Sequence, residues 1–398
     1  MREMKKNICM VAYTTYSVDN RVRREAEALV ASGEYRVLVL TLKEGPSPRN
    51  YQLKGVEVRE MNMSKYQGRN LVRYLILYLR FTLMAFLSCN MLLINKSLDV
   101  VHIHNMPNFF VFSAIIPFFF GKKIILDIHD IVLETFLAKF GERSSILKKI
   151  ILQILRVEEF ISCTFAHKVI CTNHLQRELL VKRGIPERKI IIIFNTPDPR
   201  IFSRSKTVEI NPKPKKEFKI IYHGTITKRL GLDLAIRAVI SLADRIPCLD
   251  FTILGGGEDV KELTALSRDL GGQEVIHFES PVPGEELVKI LSRMDLGIVP
   301  NNKNIATDVM LPVKMLECVA LDIPVIVPRV KVIEHYFSDD MVTYFEPGNV
   351  ESLANSILNV YNNENGNVNK VENAKSFLKQ YGWETHKFDL INLYKNLS

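Results

Sequence analysis

At 398 residues, 47% hydrophobic and 24% charged, the chain has the length of two ordinary domains and a globular composition, which excludes a disordered or fibrous polypeptide. A net charge of +9 draws it toward anions without choosing among nucleic acid, an acidic membrane surface and phosphorylated small molecules. Its six cysteines form no C-x-x-C pair and sit mostly in apolar stretches, so they read as reduced core residues of a cytoplasmic protein.

The charged start MREMKKN leads into a short apolar run without a cleavage site, so no signal peptide is expected. NICMVAY opens a series of short Val- and Ile-rich runs, continued by YRVLVLTL, DVVHIH, KKIILDI, HKVICT and KIIIIF, that read as strands buried on both faces. After the first, Asp19 or Asn20 can cap a helix whose Val22, Ala26, Leu29 and Val30 share a face and which Gly33 can end. Arg21 then falls in the first turn, at the mouth of the expected cleft. A cation there opposes the helix dipole, which points to function, although a solvated arginine is the alternative.

LVRYLILYLRFTLMAFL mixes Arg73 and Arg80 with leucines and tyrosines. It reads either as a helix packed on a sheet or as an apolar face resting in a membrane interface. Neither uncharged stretch nearby makes a membrane span: residues 81–95 are too few, and Pro107 and Pro117 interrupt 105–121. VHIHN sets His102 and His104 on one side of a strand end, and LDIHD sets Asp127, His129 and Asp130 at the next. Imidazoles and carboxylates at strand ends suit acid–base work or the recognition of sugar hydroxyls. Plain core histidines and a divalent metal are the competing readings. The metal is not expected, because no acidic pair in the second half completes the set.

The Pro- and Lys-rich stretches NTPDPR and NPKPKKE mark a linker. A second series then begins: EFKIIYH, LDFTIL, EVIHF, MDLGIVP, IPVIV and MVTYF. Two consecutive α/β series predict two doubly wound, Rossmann-like domains facing a central cleft, with ligands at the carboxyl ends of the strands. The expected boundaries are residues 1–198, a linker at 199–216, a second domain at 217–372 and a helical tail at 373–398. In that tail Leu390, Leu393 and Tyr394 could pack on a neighbour.

Three stretches of the second half point to a phosphorylated ligand. In YHGTITKRLGLDL, Gly224 allows close approach to the backbone, and Lys228 with Arg229 suits a diphosphate, against the alternative of a basic surface turn. In FTILGGGED, which lacks the full G-x-G-x-x-G spacing, Gly255 and Gly256 leave room for a nucleoside. In DVMLPVKMLECVALDIPVIVP, Pro312 fits the first position of a helix, and Lys314 and Glu317 share a face three residues apart. The helix N-terminus and Lys314 suit a phosphate, and Glu317 can accept two hydroxyl hydrogen bonds, as a ribose diol would supply. An exposed ion pair is the bland alternative.

These motifs resemble the retaining glycosyltransferases of the GT-B fold, in the large family (group 1, family four) that includes sucrose-phosphate synthases and bacterial mannosyltransferases. DNRVRREAEALVASG resembles the family's first loop and helix, and LDIHD its D-x-H-D segment. YHGTITKRLGLDLAIRAV, with Gly224, Thr225, Lys228 and Arg229, resembles the donor-phosphate loop. LPVKMLECVALDIPVIV resembles the nucleotide-binding helix, and YGWETHKFDLINLYKNL the tail helix that crosses back to the first domain. The resemblance implies transfer of a sugar, with retention, from a nucleotide-diphosphate sugar to a glycan or lipid-linked acceptor in surface polysaccharide or glycoconjugate synthesis. Arg229 and Lys314 would hold the diphosphate, Glu317 the ribose, and His129 would sit by the transferred sugar. The amides near Met310 and Leu311 would contact donor sugar or phosphate, with Gly255 and Gly256 beside them. Arg21, His104 and Asp130 would line the acceptor side. No cofactor and no metal is implied, since the cations do the electrostatic work. The expected place is the cytoplasm and the inner face of the cell membrane, with contact to anionic lipid and none to nucleic acid.

The chain departs from the family at two points. The first of two glutamates spaced eight apart falls at Val309, beside Asp308, and the usual lysine before the loop's second glycine is Leu230. Two other readings share the sequence. A nucleotide-sugar epimerase could use the same scaffold without an acceptor. A nucleic-acid-binding protein would need a basic stripe interleaved with aromatics, whereas the lysines and arginines here are scattered.

Overall fold

The computed structural model of the chain describes residues 5–66, 70–140, 146–203 and 217–397. Its backbone contacts divide it into two units, Met1–Asn195 with Glu384–Ser398, and Thr196–Trp383. Most of the expected linker, residues 204–216, lies outside the described residues.

The first unit is built on eight strands: β1 (Lys6–Ala12), β2 (Tyr35–Leu42), β3 (Asn50–Leu53), β4 (Val56–Met61), β5 (Val100–His104), β6 (Lys123–Ile128), β7 (Lys168–Cys171) and β8 (Ile190–Ile192). Their order is β3-β4-β2-β1-β5-β6-β7-β8, parallel throughout except for the antiparallel edge pair β3–β4. β1, β2, β5 and β6 are apolar and almost wholly buried, as strands covered on both faces must be. The hairpin β3–β4 is not written as an apolar run, because β3 is an exposed edge and β4 alternates, with Val56 and Val58 buried and Glu57 exposed. Its turn is written in Lys54 and Gly55, both at positive φ.

The helix Asn20–Ala31 follows β1. Asp19 caps it by accepting from the Val22 amide at 3.1 Å, and Gly33 follows the last turn at φ +81°. The final helix, Trp383–Asn396, buries Leu390, Leu393 and Tyr394, with the Tyr394 ring 5.5 Å from that of Tyr35. Five cysteines are buried and unpaired. Cys248 is unpaired but exposed, so the core reading fails there.

The second unit carries β9 (Phe218–Thr225), β10 (Leu249–Gly256), β11 (Ile276–Glu279), β12 (Leu296–Ile298), β13 (Val325–Pro328) and β14 (Thr343–Phe345), all parallel, in the order β11-β10-β9-β12-β13-β14. The helix Leu232–Ile240 seals one face by burying Leu232, Ala235, Ile236 and Val239 against Ile220, Tyr222 and Phe251.

Both sheets are doubly wound. The strand order reverses beside β1 in the first and beside β9 in the second, and ligands of such sheets sit at the carboxyl end of that reversal.

Candidate functional site

The carboxyl ends of β1, β5 and β6 bring a charged constellation together in the first unit. Arg21 donates through Nε and Nη2 to both oxygens of Asp127, each at 2.9 Å, and through Nη1 to the Ile193 carbonyl at 3.0 Å. Glu25, one helical turn on, lies 3.1 Å from the same guanidinium. His129 Nε2 is 3.0 Å from Asp127 Oδ2, and 3.0 Å from His104 Nδ1. Desolvation alone would raise the Asp127 pKa, but Arg21 and His129 override it and hold the carboxyl well below the usual range. Burial opposes protonation of His129, yet the Asp127 charge outweighs it and the pKa is raised. His102, buried beside them, is pushed the other way by desolvation and by its neighbour His104. Its Nδ1 lies 2.8 Å from the Tyr394 hydroxyl of the tail helix. Burial raises the Tyr394 pKa, so its hydroxyl keeps its proton, and the lowered His102 pKa keeps that imidazole neutral.

In front of this constellation is a cavity of about 290 Å³ lined by Tyr13, Asp19, Tyr66, Tyr74, Tyr78, His104, His129 and Asp130. Asn105 ties its floor together, accepting from the His129 amide at 2.8 Å and donating to the Asp130 carbonyl at 2.7 Å. Three of the four residues assigned by sequence to this half, His104, His129 and Asp130, line the cavity. Arg21 does not: it is 3% exposed and spent on Asp127, so it orients the carboxylate instead of standing at an open mouth. The four tyrosines look like ordinary core in sequence; Tyr13 just after β1, Tyr74 and Tyr78 on the helix Leu71–Ile94, and Tyr66 in the stretch before it, its ring 4.8 Å from that of Tyr74, come together only in the fold.

Glu25, His102, His104 and Asp127 also bring four candidate metal-ligand atoms within 4.8 Å of one another. Arg21 already sits against both carboxylates, so an ion there would have to displace a guanidinium.

The second unit gathers its cations where β9 ends. Lys314, on the helix Val313–Ala320, points back to β9: its Nζ donates to the Tyr222 hydroxyl at 2.8 Å and lies over that ring, 4.0 Å from the centroid. A Cβ on Gly224 would come within 3.4 Å of the same nitrogen, and Gly224 has φ +122°. Desolvation lowers the Lys314 pKa to about 7, Glu317 pulling it up and Arg229 pushing it down. Arg229 is exposed, and its guanidinium makes no hydrogen bond or ion pair among the described residues. Glu317 accepts from His223 Nε2 at 2.7 Å, leaving its other oxygen without such a bond. His223, at the end of β9, passed as a plain strand residue in sequence.

Three expectations change in detail. Lys228 leans away, its ammonium 2.5 Å from Glu262, so the charge of the loop rests on Arg229. Pro312 is the residue before the helix and not its first position. The Met310 amide is taken by the Ala306 carbonyl at 3.0 Å, whereas the Leu311 amide has no partner among the described residues. The reason for one glycine also differs. A Cβ on Gly255 would lie 1.8 Å from the Gly224 carbonyl oxygen, so Gly255 lets β9 and β10 approach, while a Cβ on Gly256, paired with Thr225, would meet only the Pro281 ring at 3.9 Å. Asp308, next to Val309, accepts from the Lys331 amide at 3.2 Å.

Known proteins share this architecture. Residues 203–377 match the model described as glycosyl transferases group 1, and residues 18–200 that of glycosyltransferase family 4. An amylovoran biosynthesis glycosyltransferase of Erwinia amylovora is 22% identical over 194 residues, 48% of this chain and 47% of that protein. A GDP-mannose-dependent alpha-(1-6)-phosphatidylinositol monomannoside mannosyltransferase of Mycolicibacterium smegmatis is 32% identical over 112 residues, 28% of this chain and 29% of that one. The chain thus spans less than half the length of these curated relatives. Among solved structures, sucrose-phosphate synthase from Thermosynechococcus elongatus superposes with a TM-score of 0.79 at 15% identity over 99% of both chains. An Anabaena protein in complex with UDP-glucose gives 0.69 at 14%, over 98% of this chain and 99% of that one. Two family models that between them account for nearly the whole length, on a fold shared with these structures, make the chain a member of the group 1 glycosyltransferases of GT-B fold.

Proposed function

We propose that this protein transfers a sugar, with retention of anomeric configuration and without a metal, from a nucleoside-diphosphate sugar to a lipid-linked or glycan acceptor in surface polysaccharide or glycoconjugate synthesis. The observation that carries the reading is the pair Arg229 and Lys314, an unpaired cation and a half-neutral one, at the end of β9. A diphosphate supplies the anion that both lack. The unpartnered Leu311 amide adds a donor, and Glu317, oriented by His223, receives the ribose hydroxyls. The second unit therefore holds the donor. The first holds the acceptor in its tyrosine-lined cavity, beside His129. When the bond from the anomeric carbon to the phosphate oxygen breaks, its electron pair stays on the nucleotide, where Arg229 and Lys314 offset the new charge. The acceptor oxygen bonds to the same face of the oxocarbenium-like sugar, and its proton goes to the departing phosphate oxygen.

The diphosphate class is supported by two similar proteins: the Anabaena neighbour was solved with UDP-glucose, and the mycobacterial relative depends on GDP-mannose. The base differs between the two, uracil in one and guanine in the other. The polysaccharide setting follows the Erwinia relative, and the proposed location is the cytoplasm or the inner face of the cell membrane. The test is nucleotide release from a panel of UDP-, GDP- and ADP-sugars. Release with one donor is expected, and it falls at least a hundredfold in the double variant Lys314→Ala with Glu317→Ala. An unaltered rate in that variant overturns the assignment of the site.

A further inference from the structure

The helix Leu71–Ile94 carries two apolar faces. Phe81, Ala85 and Cys89 are buried, with the Phe81 ring 5.1 Å from Tyr13 and 5.0 Å from Phe110. On the opposite side Val72, Ile76, Leu79, Leu83, Leu87 and Met91 are each 53–66% exposed. At three- and four-residue spacing they form one stripe roughly 30 Å long. The helix Ile146–Phe165 repeats the pattern: Glu159, Ser162 and Cys163 face inward, and Ile146, Ile150, Ile154 and Ile161 are 48–80% exposed. A short third helix, Ile115–Phe119, ends in Phe119 and Phe120, 78% and 69% exposed. All three pack around the short 3-10 helix Asn108–Ala114, and Phe118 meets Phe165 at 4.6 Å between ring centroids. Apolar faces of this extent on one side of a domain mark a binding surface.

Charge identifies the occupant. The exposed charged side chains of these helices are Arg73, Arg80, Lys149 and Arg156, all cations. The two carboxylates of the helix Ile146–Phe165 are turned inward, Glu158 receiving Asn108 at 3.2 Å and Glu159 receiving Arg183 at 2.8 Å. An apolar stripe whose helices expose only cations among their described residues fits the headgroup region of an anionic bilayer. The stretch Val72–Ile94 has mean hydropathy 1.7 and the length to cross a membrane, but crossing would tear Phe81, Ala85 and Cys89 from the core, so the helix lies flat.

We propose that the outer faces of these three helices form a platform that docks the first unit on an anionic lipid bilayer. Tyr74 and Tyr78 of the long helix line the cavity beside His104 and His129, so docking sets that cavity at the lipid surface. This last step rests on the lipid-linked acceptor proposed above; the docking itself does not.

The test is flotation of the full chain with vesicles of phosphatidylcholine, alone or mixed with phosphatidylglycerol, alongside nucleotide thermal shifts. Binding to the mixed vesicles is expected, weakened by salt and by roughly fivefold for each of Arg73, Arg80, Lys149 and Arg156 changed to Gln. Leu79→Gln, Leu83→Gln and Leu87→Gln together should abolish it, with the melting temperature and nucleotide response unchanged. The proposal is overturned if the wild type floats with neither vesicle, or if the triple variant floats like the wild type. It is equally overturned if the wild type is a dimer that the triple variant splits while vesicles capture neither. Flotation without any nucleotide response supports the platform and sinks the donor site instead.

Discussion

At the reversal point of the first sheet the buried charges meet their opposites inside the fold: Arg21 with Asp127 and Glu25, Asp127 with His129. At the reversal point of the second, Arg229 stands in solvent without an ion pair among the described residues, and desolvation lowers the Lys314 pKa to about 7. The same topology thus carries two electrostatic designs. The first is finished before any ligand arrives, so its charges serve to fix the geometry of His104 and His129. The second is unfinished, and an anionic ligand would complete it. A site of the first kind is revealed by what its loss does to folding, a site of the second by what its loss does to binding.

The largest effect should therefore be structural. Asp127→Asn leaves the buried Arg21 guanidinium without its charge partner and is expected to destabilise the protein by about 3–5 kcal/mol in urea unfolding. Arg229→Ala, at the corresponding place in the second sheet, should change stability by less than about 0.5 kcal/mol. Equal effects would erase the contrast. For nucleotide binding the ranking should invert: Arg229→Ala and Lys314→Met each remove a charge-assisted contact and are expected to weaken a nucleoside diphosphate roughly 10- to 100-fold by titration calorimetry.

That inversion also explains how far the sequence could be read. The strands were legible because both sheets are parallel and buried, which writes them as runs such as VVHIH and FKIIYH; only the β3–β4 hairpin, half in solvent, lacked the run. Lys314, Glu317, Arg229, His104 and His129 were legible as charged residues at strand ends and helix starts, where local spacing decides direction. What stayed hidden depends on contacts across the sheet. Arg21 reads as an exposed first-turn cation until Asp127, 106 residues on, is seen to take it. His223 reads as a strand residue until Glu317 lies beside it, and Gly255 as ligand room until β9 closes on β10.

Lys314 gives the contrast a pH signature. Its pKa near 7 leaves it about half protonated in the free protein at neutral pH, and a bound diphosphate raises that pKa. Binding should then take up a proton, and affinity should fall by up to about tenfold per unit as pH rises above 7 until the bound-state pKa is reached. Stability moves the other way. The unfolded chain binds the proton near the ordinary lysine pKa of 10.5, so between 7 and that value it holds more protons than the folded chain, and this term favours folding as pH rises. Calorimetry in two buffers of different ionisation enthalpy measures the uptake, and Lys314→Met should abolish it. A pH-independent affinity in the wild type would mean that Lys314 is not at the phosphate.

The smallest effect is the most specific. Glu317 spends one oxygen on His223 at 2.7 Å and has the other for a ligand hydroxyl. Glu317→Gln keeps the size of the side chain but loses the charge and half of its accepting capacity. A ribonucleoside diphosphate should bind about tenfold more weakly to the variant, while its 2′-deoxy counterpart, already short of one hydroxyl, should lose less. The discrimination between the two should narrow without any change in proton uptake, because Lys314 is untouched. If both ligands weaken equally, Glu317 acts on the phosphate end through Lys314, and the second site is a single charge cluster with no separate place for the ribose.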